Sequence, residues 1–436
     1  MEILSTLNPF ESIWNFVLLI LVSYPILGAF AWFIGVICYQ TVYRHRHKQF
    51  QDIAPVDQPM ITIMIPAHNE EVMIAHTIDY LMNNLTYENY EVLVTDDGST
   101  DDTPKILAEL QTQYSNLRVV TIEKNQGKAH AFNVGVGFAK GEFILSNDAD
   151  SIPEPDALSK YMNYFLGEEH MNVAAVTANM DVQNRSKLIA KSQTVEFSSI
   201  VGVIKRSQVS ALGNMYAYSG ANTMYRRDAL IDVGLFRQDR ATEDISIAWD
   251  HQLSGWTTAF SPDILFYMNV PESLSALYKQ RKRWAKGGTE VLLTNFRRVL
   301  SHPKRYFKQI AFLTDQTLSI IWSLFFCIST ILFIYSLGTF AFTGNFERVY
   351  HMFCMAFIFV TFEMFAGILQ LLSALIVDDR GKKLKYLLFM PLYMVVYWQV
   401  NALALVTTLI PAVKTILGYG SGTWVSPVRK SDAVKA

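Results

Sequence analysis

The chain has 436 residues, 51% hydrophobic, 13% aromatic and 17% charged, with a formal net charge of −2. That balance offers no basic field, so no nucleic-acid partner is expected. The apolar content exceeds what one soluble domain needs and is gathered into blocks, leaving room for one domain of roughly 200 to 250 residues plus several membrane crossings.

Residues 12–43, 316–346 and 387–413 contain no Asp, Glu, Lys or Arg, and 348–377 is interrupted only by Arg348 and Glu363. About 20 apolar residues span a hydrocarbon core, so four spans are expected, one before and three after a polar middle. The first block is too long for a signal-peptide core and lacks a small-residue cleavage site before its basic flank, which predicts a retained anchor. Arg44, Arg46 and Lys48 follow it and predict that residues 44 onward are cytoplasmic. Glu363 is costly in lipid and is expected to face a polar path or a partner, with snorkelling as the plainer alternative. Cys38, Cys327 and Cys354 sit in apolar blocks without metal-ligand spacing and are expected to be buried packing residues. The predicted division is an anchor and basic linker (1–59), a cytoplasmic domain (60–300), three membrane segments (301–413) and a tail (414–436).

Within the middle, residues 60–66 (MITIMIP), 90–95 (YEVLVT), 117–122 (LRVVTI) and 143–146 (FILS) are predicted strands. Residues 69–85 and 100–114 carry apolar residues at helical spacing, the second after the capping run Ser99-Thr100-Asp101-Asp102. Alternating strands and helices predict an α/β domain with a mainly parallel sheet covered on both faces. Ligands bind beyond the carboxyl ends of such strands, and the loops there carry Asn69-Glu70, Asp96-Asp97 and Asp148-Ala149-Asp150.

Asp148-Ala149-Asp150 sets two carboxylates on one tight loop, a donor set for Mg2+ or Mn2+ completed by substrate phosphates; surface loops also produce the pattern freely. A phosphatase of the haloacid dehalogenase type places a similar pair after a strand, but with Thr or Val two residues on, where this chain has Ile152. Asp97, in Asp96-Asp97-Gly98-Ser99, suits the N3–H of a uracil ring, or else an N-capping turn. Lys128 stands near a predicted helix start beside Gly127, where it would steady a diphosphate, or else be a solvated surface lysine. Asp244, in Thr242-Glu243-Asp244, is the candidate base for a sugar hydroxyl, a poor nucleophile until its proton is removed; the plain alternative is a helix-capping pair. Gln280, Arg283 and Trp284 fall at i, i+3 and i+4 on one face of a basic helix. There an arginine would neutralise a departing diphosphate and an aromatic would stack on an acceptor sugar. Lys279, Arg281 and Lys282 are left for lipid headgroups.

With these residues in order, the stretch from 60 to about 300 resembles the membrane-embedded, processive family 2 glycosyltransferases, which include cellulose, chitin and hyaluronan synthases. Within that family it is most similar to the bacterial poly-β-1,6-N-acetylglucosamine synthases of biofilm exopolysaccharide, through 193–208 (QTVEFSSIVGVIKRSQ), Ser219-Gly220-Ala221 and 280–293 (QRKRWAKGGTEVLL). The resemblance implies a domain of the GT-A, nucleotide-diphospho-sugar transferase type, inserted between transmembrane helices. It implies UDP-GlcNAc as donor, a growing polysaccharide as acceptor, and Mg2+ or Mn2+ on Asp148 and Asp150. It assigns substrate binding to Ala67, Glu70, Asp97, Lys128, Asp148 and Gly220, and catalysis to Asp244, Gln280, Arg283 and Trp284. Membrane lipids and a small accessory membrane subunit are further expected partners.

Residues 423–429 (TWVSPVR) resemble the tail of these synthases and suggest Arg429 as a nucleotide contact. Four crossings put that tail outside, whereas Lys414, Arg429 and Lys430 favour inside; one block is then re-entrant or interfacial, or the tail is external. Three rivals stay open at this stage: a synthase of another β-linked polysaccharide, a nonprocessive transferase acting on a lipid carrier, and a noncatalytic assembly subunit. A nucleotide-cofactor oxidoreductase is disfavoured, because no G-x-G-x-x-G follows the first strand.

Overall fold

The computed structural model describes residues 9–43, 50 and 53–419. The basic cluster Arg44, Arg46 and Lys48, and the tail with Arg429 and Lys430, lie outside the described residues.

Eight strands form one sheet: β1 Ile61–Ala67, β2 Tyr90–Asp97, β3 Leu117–Ile122, β4 Phe143–Ser146, β5 Ile152–Pro153, β6 Val173–Val182, β7 Thr223–Arg226 and β8 Thr257–Met268. Their order is β3-β2-β1-β4-β7-β6-β8-β5. The pairings of β1 with β2 and β4, β2 with β3, and β6 with β8 are parallel. Those of β7 with β4 and β6, and of β5 with β8, are antiparallel, so the mainly parallel sheet carries two reversed strands, β7 near its middle and β5 at its edge.

Strand β1 is buried along its whole length, as a strand covered on both faces must be. Ile61, Ile63 and Ile65 pack with Ile74, Ile78 and Leu107, from helices α2 (Ile74–Asn84) and α3 (Thr103–Gln113). Met64 faces the other way, onto Phe132 and Val136 of α4 (Lys128–Phe138). This alternation gives the expected helices on both faces.

The first two helices begin later than their apolar spacing suggests. Asn69 takes a left-handed φ of 56°, which breaks the helix path, so α2 starts only at Ile74. In the run 99–102 the cap oxygen comes from Asp101, whose Oδ1 accepts the Thr103 N–H at 3.0 Å. Asp102, at the capping position, makes no side-chain cap.

Beyond β6 come α5 (Leu188–Phe197), a π-helical turn (Ser198–Ile204) and α6 (Lys205–Leu212), then α7 (Glu243–Ser254) and the long α8 (Leu274–Ser301). By length and composition four helical stretches can cross a membrane: Phe16–Thr41 within α1 (Pro9–Cys38) and the turn after it, α9 (Phe307–Phe342), α10 (Phe346–Val377), and Gly381–Ile416, which ends in α11 (Trp398–Ile416). The last stretch opens with 3-10 and π turns. Helix α8 packs along α11 and α9, and α1 lies along α10.

The cysteines are not the buried packing residues expected of them. Cys38 is exposed and Cys327 and Cys354 are half-buried, on helical stretches apolar enough to cross a membrane. Glu363 is half-buried on α10, seven residues before Gln370 and so on the same helix face. Gln370 donates to Ser199 Oγ at 3.0 Å.

One polar cluster joins the sheet to the apolar helices. Asp378, fully buried between α10 and the last stretch, accepts from Asn179 of β6 at 3.0 Å, Ser198 at 2.9 Å and Lys383 at 2.7 Å. Lys383 also pairs with Asp181 of β6 at 3.1 Å.

Candidate active site

The strand order places the carboxyl ends of β2, β1 and β4 side by side, and their loops are laced together. His68 Nδ1 donates to the Asp97 carbonyl at 2.8 Å, the Asn69 N–H to Ser99 Oγ at 2.9 Å, and the Thr100 N–H to Asn69 Oδ1 at 2.8 Å. Thr77 Oγ1 donates to the Ala149 carbonyl at 2.6 Å, drawing in the loop after β4. Ala67 lies in register with Asp96 and its methyl is wholly in the core, so only its backbone can meet a ligand. Glu70 is buried, and its N–H donates to Thr103 Oγ1 at 2.9 Å.

The Asp97 carboxylate takes on a turn-shaping role. Its Oδ1 accepts the Gln126 N–H at 3.1 Å and its Oδ2 the Gly127 N–H at 2.8 Å. The carboxylate therefore shapes the turn that leads into α4. Gly127 has φ 98°, a region costly for other residues, and the next residue is Lys128.

Lys128 is no surface lysine: it is buried, and its ammonium joins three elements. It donates to Asp148 Oδ1 at 2.7 Å and to the Gly220 carbonyl at 3.2 Å, and lies 3.2 Å from Glu243 Oε1. Burial works against its charge, but Asp148 and Glu243 outweigh that and hold its pKa above the ordinary lysine value. Gly220 also accepts from Ser146 Oγ at the end of β4 and donates its N–H to Asp244 Oδ2 at 3.0 Å. A Cβ there would stand 3.0 Å from Glu243 Oε1 and 3.2 Å from Lys128 Nζ, so only glycine fits without displacing them.

Glu243 and Asp244 open α7, after Thr242 in extended conformation at its N-cap. Adjacent in sequence, they titrate in opposite directions. Burial and then the Glu243 charge raise the Asp244 pKa above the usual carboxylate value, only partly opposed by Arg283 and Lys128. Burial works against ionised Glu243 too, but Lys128 and Arg283 outweigh it and hold its pKa below the usual value. Neighbouring carboxyls pushed apart in this way suit one as a fixed anion and the other as a proton acceptor.

Helix α8 supports this centre from the other side. Gly287 packs directly on Thr242, and Glu290 Oε2 accepts the Ala241 N–H at 2.8 Å. Arg283 stands near enough to bias Lys128, Glu243 and Asp244 by its charge. Gln280 Oε1 is buried without a hydrogen-bond partner among the described residues. Trp284 is partly buried against the cluster containing Phe132, Tyr225 and Phe236. The structure thus gathers Lys128, Asp148, Gly220, Asp244 and Arg283 into one centre. Ala67, Glu70 and Asp97 belong to the laced strand ends and loops of β1 and β2.

Arg281 corrects the expectation of a lipid-facing basic residue. It is 4% exposed and donates to Glu196 Oε2 of α5 at 2.6 Å. Leu277, one turn before it, is equally enclosed, because α5 and the last membrane stretch cover that side of α8. Lys279 remains exposed, and Lys282 rests over the Tyr278 ring at 5.6 Å.

Lys205, at the start of α6, was not singled out by sequence reasoning. It is buried, and burial pulls its pKa down to about 8 against the opposing charge of Asp244. The signal in the sequence was a lysine closing the uncharged run 198–204.

Among the described residues no group of three or more His, Cys, Asp or Glu side chains forms a self-sufficient metal site. Asp148, about one-third exposed, and the nearby Asp150 offer hard oxygen donors from a single loop. That donor set fits Mg2+ or Mn2+ held jointly with substrate phosphates, and not a closed protein cage.

The model of the family described as glycosyl transferase family 2 matches residues 62–234. A poly-beta-1,6-N-acetyl-D-glucosamine synthase of Staphylococcus epidermidis is 32% identical over 427 residues, covering 96% of this chain and 98% of that one. The protein of that name from Staphylococcus aureus (strain COL) is 32% identical over 413 residues, covering 94% and 97%. Among solved structures, the mannosyltransferase PcManGT from Pyrobaculum calidifontis superposes with a TM-score of 0.54 at 19% identity, covering 82% of this chain and 99% of that one, a likeness of fold.

Proposed function

This chain belongs to glycosyl transferase family 2, and from that premise we propose an inverting, processive synthase of β-1,6-linked poly-N-acetylglucosamine. The donor is UDP-GlcNAc. Residues 60–300 form the cytoplasmic transferase domain of a multi-pass protein of the cell membrane, and the product leaves through the adjacent spans. Relatives of that name along nearly the whole chain support the product class. The apolar helices on either side of the transferase domain support export.

The observation that carries the reading is the single contact set of Lys128, Asp148, Gly220, Glu243 and Asp244 beside Arg283. Asp244 removes the proton from the acceptor hydroxyl, the 6-OH in this product, as that oxygen attacks the anomeric carbon. Attack from the face opposite the leaving group turns an α-linked donor into a β-linked product. The raised pKa of Asp244 strengthens it as a base, and the Gly220 N–H fixes its direction. Lys128 and Arg283 supply positive charge against the diphosphate as it departs. Asp97 acts through the turn that carries Lys128. Asp148 and Asp150 would hold Mg2+ or Mn2+, whose chemistry when bound is to neutralise the donor's diphosphate. Trp284 offers a ring for the acceptor sugar, beside Gln280.

The test is purified protein in lipid with Mg2+ and a panel of UDP-sugars, the product sized and then digested with linkage-specific hydrolases. Long polymer from UDP-GlcNAc, cut only by a β-1,6-specific enzyme, is expected. Polymer from UDP-glucose and none from UDP-GlcNAc would sink the substrate claim, and short lipid-linked products would sink processivity.

A further inference from the structure

Helix α8 carries a second charge arrangement that the transfer step does not use. Arg281 and Glu196 form an ion pair at 2.6 Å with both side chains nearly or wholly enclosed. The guanidinium carbon of Arg281 also stands 4.1 Å from the ring centroid of Trp284, three residues on and hence adjacent on the helix. A guanidinium has a donor edge and a flat face; here an N–H meets a carboxylate and the group lies over the indole ring.

A buried ion pair is a poor source of net stability, since two desolvated charges return little more than apolar residues would. This pair is not even fully satisfied: Glu196 Oε1 and Arg281 Nε have no hydrogen-bond partner among the described residues. What the pair does supply is direction. Glu196 is fixed on α5, whose Ser192 lies 2.8 Å from Tyr397 Oη in the last membrane stretch. Tyr393 and Tyr397 pack with Val195 and Leu277 around the pair.

The geometry points to Arg281 and Glu196 as positioning residues for Trp284: Glu196 fixes the guanidinium, and the guanidinium face sets the indole so that its free surface receives the acceptor sugar. This deepens the proposed function and rests on its reading of Trp284 as the acceptor platform. Because α5 is bonded to the last membrane stretch, the platform is held in register with the bundle through which the product would leave.

The test is steady-state kinetics in lipid with UDP-GlcNAc and a short β-1,6-linked N-acetylglucosamine oligosaccharide as acceptor, comparing Glu196→Gln, Arg281→Gln, Arg281→Lys and Trp284→Ala with the parent. Misorientation of a substrate platform costs up to about 100-fold, so Glu196→Gln and Arg281→Gln are expected to raise acceptor KM about tenfold or more and shorten the product. Donor KM and the slow hydrolysis of UDP-GlcNAc by water should stay at the parent level. Arg281→Lys keeps the charge and loses the flat face. A merely structural pair would be restored by lysine; a positioning device would not, so parent-like acceptor KM in Arg281→Lys or in Glu196→Gln overturns the inference. If Trp284→Ala leaves acceptor KM unchanged, the underlying reading of Trp284 is what fails. Should a single variant not fold, the Glu196→Gln, Arg281→Gln double variant leaves no lone buried charge. It is expected to keep the raised acceptor KM, and a parent-like value there also overturns the inference.

Discussion

Along the loops after β1, β2 and β3, position is set largely by the backbone: Asp97 holds two successive N–H groups, and Asn69 and Ser99 bind each other's loops through main-chain donors. On α5, α7 and α8 position is set by side-chain charges that meet over long separations, as Arg281 meets Glu196 and as Glu243 meets Lys128 of the first bank. The first bank is a hydrogen-bonded cradle, which in the proposed function receives the nucleotide. The second is tuned by electrostatics, as a base and an acceptor platform require. Substitutions should therefore act through geometry on one bank and through charge on the other.

The sharpest way to break that contrast is Asp244→Asn. It keeps shape and removes the base, so turnover should fall by about 10²- to 10⁴-fold, while UDP binding, measured by titration calorimetry, stays near the parent value because the backbone-held bank is untouched. Normal turnover would end the base assignment. Gly287→Ala comes next. A methyl there lands on Thr242, at the cap of α7, and overpacking of this kind costs about 1 to 3 kcal/mol. Displacement of Asp244 should lower kcat about tenfold or more. Gly137→Ala on α4, where a Cβ meets nothing within 4 Å, is the matched control and should leave kcat unchanged without lowering thermal stability.

The smallest expected effect is one of pH. Asp244 must be ionised to accept a proton, and burial followed by the Glu243 charge raises its pKa. Activity is thus lost as pH falls through that raised value. Glu243→Gln removes the second cause, so the acid limb of the pH–rate profile should move to lower pH. A shift to higher pH would show that Glu243 does not act on Asp244 through its charge.

The backbone-held bank was the more legible from sequence. Strands β1 to β4 announce themselves as short apolar runs, and their polar ends converge by topology, so Asp97, Lys128 and Asp148 could be named in advance. Their partners could not be: nothing local says that Asp97 turns inward to Gly127, or that Lys128 is buried. The late start of α2 follows from one left-handed residue, Asn69, which spacing cannot reveal. On the charge-held bank the helical period put Gln280, Arg283 and Trp284 on one face correctly, but it treated every other face as exposed. Arg281 was misread because α5, some 85 residues earlier in the chain, covers that side. Lys205 escaped for the same reason, since its significance lies in Asp244, on a different element.

Asp378 has a consequence for how such an enzyme can work. Enclosed between β6 and the last apolar stretch, and bonded to both, it acts as a rivet that gives the catalytic floor and the apolar helices a common frame of reference. If synthesis is processive, as proposed, a floor so fastened stays in place while its product moves. In a processive cycle the polymer must do the travelling, and the stride of each addition is dictated by the repeat length of the sugar chain.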